Sequence, residues 1–138
     1  MQLEVKINLI LHATEDENKI LEELEKSFGV EQKKFQIEQI PGHFNNPILL
    51  ISSKLKSKPA HDFVSSFFSK MKKDEFQEIY EDVEDLVTSS GLSLRISKQK
   101  LVSGILTISK EDTIKINIST PVYVKNQTKK IYQELMKM

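Results

Sequence analysis

The chain contains no cysteine. That removes disulfides, thiolate metal sites and cysteine nucleophiles, and it fits a reducing compartment. Glycine is scarce, and the four glycines form no phosphate-cradling loop. The three histidines, His12, His43 and His61, lack the spacing of a zinc-binding helix. No serine sits in a nucleophile elbow. The longest purely apolar run, Ile48 to Ile51, falls far short of the ~20 residues a membrane span needs. The N-terminal residues alternate from the start and carry no secretory leader, so a cytoplasmic protein without cofactor or resident metal is expected.

What is present suits one domain. A length of 138 residues allows roughly two-thirds of the unfolded surface to be buried, so no staple is required. The formal net charge is zero but uneven. Residues 59–91 hold 3 basic and 8 acidic side chains, whereas residues 92–138 hold 9 and 3, a net of +6. A basic third is compatible with a polyanion partner. On composition alone a solvated lysine surface is the favoured account.

Residues 2–12 alternate strictly, placing Leu3, Val5, Ile7, Leu9 and Leu11 on one face of a strand, with Ile10 the exception on the polar side. Thr14 with Glu17 reads as a capping box for a helix that buries Ile20, Leu21, Leu24 and Phe28 and stops at Gly29. Strands are expected at 33–40 and 48–55. Pro59 then opens a helix with Ala60, Phe63, Val64, Phe67, Phe68 and Met71 inside. Asp74 caps the next, which buries Phe76, Ile79, Tyr80, Val83, Leu86 and Val87 and is stopped by Gly91. Residues 92–97, 101–108 and 113–119 read as strands. The expected architecture is α+β, a two-layer sandwich in the order β-α-β-β-α-α-β-β-β. Its helices cover one face of a mostly antiparallel or mixed sheet and leave the other face polar and open. Residues 1–120 form this domain, and residues 121–138 form a tail or short helix.

Three segments are richer in polar residues than capping and turns require. His12 and Thr14 lie where the first strand hands over to a helix. His43, Phe44 and Asn46 lie in a loop bounded by Pro41-Gly42 and Pro47, where a histidine and an aromatic ring can stack on an unpaired base. Arg95, Lys98, Gln99 and Lys100 lie at a strand end, with Arg95 suited to phosphate or base and the lysines to phosphate. Plain structural accounts exist for each, namely a helix start, a turn and a solvated edge.

Taken in order, His-Ala-Thr-Glu-Asp from His12, Gly-His-x-x-Asn-Pro-Ile from Gly42 and Arg-x-x-Lys-Gln from Arg95 resemble an archaeal RNA-binding family described as a predicted exosome subunit. Asn45 and Ser97 stand where that family usually has glycine and aspartate. The resemblance implies a fold similar to the large-subunit ribosomal protein that contacts 5S rRNA, and a non-catalytic role with RNA, linked to RNA processing. Independently of the resemblance, the +6 charge of the C-terminal third and the place of all three segments at strand ends or loops predict one basic patch of Arg95, Lys98 and Lys100 with His12 and His43 nearby. Two other readings stay open: a protein–protein adaptor or homodimerisation module, and a small hydrolase using His12 and His43.

Overall fold

The alternating apolar residues of the first segment do form the centre of a sheet. In the computed structural model, described for residues 2–12, 15–42 and 46–138, β1 (Glu4–Leu11) buries Leu3, Val5, Ile7, Leu9 and Leu11 and turns Lys6, Asn8 and Ile10 outward. It pairs on one side with β3 (Pro47–Lys56), which pairs with β2 (Phe35–Pro41). On the other side it pairs with β6 (Thr113–Ser119), then β5 (Gly91–Ser97) and the two-residue β4 (Val87–Thr88). The order is β2-β3-β1-β6-β5-β4, antiparallel throughout.

The buried faces of α1 (Glu17–Phe28), α2 (Ser57–Lys70), α3 (Lys73–Leu86) and α5 (Thr128–Met136) share one core with the inward sheet residues. Phe63 and Phe67 of α2 lie at its centre, stacked on each other and tilted against Phe28. The result is the expected α+β architecture, a helical layer on one sheet face and an open face opposite. No helix among the described residues is long and apolar enough to cross a membrane.

Several local expectations are corrected. Helix α1 begins at Glu17 and its cap is Asp16, whose carboxylate accepts from the amides of Asn18 (3.0 Å) and Lys19 (3.3 Å); Thr14, the expected cap, lies outside the described residues. Pro59 is the third residue of α2, where its missing N–H is still harmless. Helix α3 starts at Lys73 with no side-chain cap and ends at Leu86; Ile79 and Val83 are fully buried, while Phe76, Tyr80, Leu86 and Val87 are partly so. Gly91 therefore does not stop that helix. It lies on the far side of a tight turn at φ 103°, so close to β6 that a Cβ would stand 2.3 Å from the Ile118 carbonyl oxygen.

Residues 101–108 are not a strand. Ser97 accepts from the Lys100 amide and starts the short α4 (Lys98–Val102), which buries Leu101. A turn at Gly104 (φ 80°) follows, and the chain returns along the outer edge of β5 with one bridge, Ile96–Ile108. The apolar positions that mimic a strand are thus a helix residue, Leu101, and a loop residue, Leu106, both directed at the core. At the C-terminus α5 buries Tyr132, Leu135 and Met136, and Gln133 Nε2 donates to the Tyr80 carbonyl (2.8 Å).

Candidate nucleic-acid interface

The open face takes its residues from the outward positions of five strands. The registers align one lateral row across them: Gln36, Ser52, Asn8, Lys115 and Arg95. Neighbouring strands lie about 4.8 Å apart, so the row presents a polar group at each such interval. It floors a shallow concavity of about 750 Å³, also lined by Ile10, His12, Glu38, Leu50, Lys110, Asp112 and Thr113.

The cationic end of this row is unusual. Arg95 and Lys115 lie directly opposite each other on β5 and β6, and neither has an ion-pair partner among the described residues. Arg95 donates only to Thr113 Oγ1, at 3.4 Å. Like charges directly opposite on a sheet are destabilising. A second pair, Lys6 and Lys54, is also directly opposite, but Glu4 lies 3.9 Å from one and 3.4 Å from the other. Only the Arg95–Lys115 pair is left uncompensated among those described.

Lys98 does something different from what the sequence suggests. Its side chain is 2% exposed, so it is not part of a solvent-facing patch. Nζ donates to the Ile10 carbonyl (2.6 Å), to Glu15 Oε1 (3.0 Å) and to Asp112 Oδ1 (2.9 Å). The first of these bonds has a topological cause. The β1–β6 ladder ends at the Asn8–Lys115 pair, and the Lys98 ammonium serves the Ile10 carbonyl beyond it. Glu15 Oε1 in turn accepts from the His12 amide at 2.9 Å. One buried cation thus joins the end of β1, the turn before α1 and the entry to β6; Ile10 and Asp112 of the first and last border the concavity.

His12 is exposed and lines the same concavity as Arg95. Gln99 and Lys100 are exposed on α4, which packs against α1; Gln99 borders a separate small cleft with Asp16 and Lys19. Asn46 is exposed at the start of β3. Thr14, His43 and Phe44 lie outside the described residues. Histidine 61 is half-buried on α2. Among the described residues no cluster of three or more histidine or acidic side chains could hold a metal ion. Sequence reading missed Asn8, Ser52 and Lys115. Alternation already turned Asn8 and Lys115 outward, but only the strand register brings Lys115 opposite Arg95.

Known proteins share this framework. RNA-binding protein PAB1135 of Pyrococcus abyssi is 30% identical over 126 residues, covering 86% of this chain and 82% of that protein. Uncharacterized protein MJ0213 of Methanocaldococcus jannaschii is 27% identical over 135 residues, covering 92% and 91%. Among solved structures, SSO0741 from Sulfolobus solfataricus has a TM-score of 0.77 at 25% identity over 97% of this chain and 98% of its own. Mth689 from Methanothermobacter thermautotrophicus, a DUF54 protein, has a TM-score of 0.72 at 22% identity over 99% of each chain, a likeness of fold. A family model described as RNA binding matches residues 4–120, β1 through to the end of β6, and the chain therefore belongs to that RNA-binding family.

Proposed function

We propose that this chain is a non-catalytic RNA-binding protein that receives the RNA backbone on the open sheet face, with Arg95 and Lys115 as its main phosphate contacts. The observation that carries this reading is the uncompensated cation pair at the end of the lateral row. Its repulsion works against the fold, and a phosphate placed between the two side chains would relieve it. Gln36, Ser52 and Asn8 continue the row with short hydrogen-bonding groups suited to phosphate oxygens and 2′-hydroxyls. His12 borders the same concavity. The His43-Phe44-Asn46 segment, Gln99 and Lys100 supply further contacts in this reading. Lys98 acts beneath them by holding the end of β1, the turn before α1 and the entry to β6 together. A role in RNA processing or degradation beside the exosome rests on the resemblance of the three sequence motifs.

The test is a salt titration of RNA affinity for the natural chain and for an Arg95→Ala/Lys115→Ala variant. Phosphate neutralisation releases counterions, so affinity should fall steeply with salt. The variant should lose affinity and flatten the salt slope by roughly 1.5, the share of two phosphates. Unchanged affinity and slope in the variant would remove the open face as the interface.

A further inference from the structure

The two edges of the sheet are treated unequally. The outer edge of β5 is covered: Ser97 N–H donates to the Thr107 carbonyl (2.9 Å), Ser109 N–H donates to the Arg95 carbonyl (3.1 Å), and β4 covers Leu92. The opposite edge, β2, pairs only with β3. Its interior, Gln36 to Ile40, carries little that discourages edge pairing: no lysine, no proline, and a single charge at Glu38. Ile37 lies on the helix side of the sheet in register with Ile51, yet Ile37 is 45% exposed where Ile51 is 1% exposed. The core reaches Phe35 at the start of β2 but leaves Ile37 uncovered.

We infer that β2 is the dimerisation edge of this chain and that its occupant is β2 of a second copy, antiparallel about a two-fold axis through Ile37. The strand is self-complementary in that register. Ile37 meets Ile37 of the second copy on the face no helix covers. On the open face Gln36 stands opposite Glu38 of the second copy, and symmetry repeats this amide–carboxylate pair. An axis through Glu38 would instead set two carboxylates face to face. The pairing makes one continuous sheet of twelve strands from two six-stranded halves. Gln36, Ile37 and Glu38 also line the concavity, so the two concavities would join across the axis, with an Arg95–Lys115 pair at each far end.

The inference does not depend on RNA binding and is tested without RNA. Sedimentation velocity of the full chain across the micromolar range should show reversible conversion of monomer to dimer. Ile37→Lys should abolish the dimer. Gln36→Glu, at an exposed position that leaves the monomer's fold intact, opposes two carboxylate pairs and should raise the dissociation constant roughly tenfold. Adding Glu38→Gln to that variant should restore the natural value. A natural chain that stays monomeric throughout, or a Gln36→Glu variant that dimerises as tightly as the natural chain, would overturn it.

Discussion

Arg95 and Lys115 oppose each other in the free protein, and this gives stability and binding opposite signs. Lys115→Gln should stabilise the unbound chain by roughly 0.2–1 kcal/mol in urea unfolding, because it removes a directly opposed like charge. The same change should weaken RNA binding. A lysine kept for the fold would show both effects in the same direction. Lys98 gives a contrasting signature. Its ammonium has three acceptors and almost no solvent contact, so Lys98→Met should destabilise by about 3 kcal/mol. That is the low end for a broken buried pair, since Glu15 and Asp112 keep access to water. Below its unfolding temperature the Met variant should bind RNA more weakly with an unaltered salt slope, because no phosphate contact is lost. A slope reduced by ~1 would instead make Lys98 a direct phosphate contact. Nothing in the local sequence distinguishes these two cations. Arg95 faces out because β5 alternates, and Lys98 faces in because Ser97 starts a helix turn right after it.

Among the elements, those with a strict period were legible and those held by distant partners were not. The stripe Ala60, Phe63, Val64, Phe67, Phe68 and Met71 is buried throughout, as helical spacing requires. Phe67→Ala should cost about 3–5 kcal/mol, measured by chemical unfolding, since the ring packs against Phe28, Phe63 and Phe68 with no exposure. The return segment after α4 obeys no such period. Glu75 of α3 accepts from Thr107 Oγ1 (2.8 Å) and from the Ile108 amide (3.1 Å), and so draws this segment onto the β5 edge. A carboxylate more than thirty residues upstream sets that path, so local alternation could not reveal it. At the α1 start Asp16 supplies the cap, while its neighbour Glu15 is engaged by Lys98, more than eighty residues downstream, a contact that local sequence cannot reveal.

At the scale of the whole molecule, α5 ties the C-terminal residues into the core through Tyr132. Burial raises the pKa of its phenol above 10.0, and the Thr120 amide that donates to its oxygen pulls the other way. Below that value both folded and unfolded chains are protonated and the contribution to stability is fully present. As pH rises through 10 the unfolded chain ionises first, so stability should fall across the window up to the raised folded value. Tyr132→Phe should flatten this alkaline decline in pH-dependent unfolding. Register is likewise a property of the whole. The sequence shows which residues face outward on each strand, but the lateral row exists only because β1 takes β3 on one side and β6 on the other. Glu4 stands opposite Ser119, so the central pairing joins nearly the whole length of the chain. Contacts so far apart in sequence carry a large loop-closure cost and form slowly. During synthesis β1 therefore leaves the ribosome long before β6, which supplies its second neighbour. The cation pair cannot meet until Lys115 has emerged, so the proposed phosphate site does not exist on the nascent chain before that point.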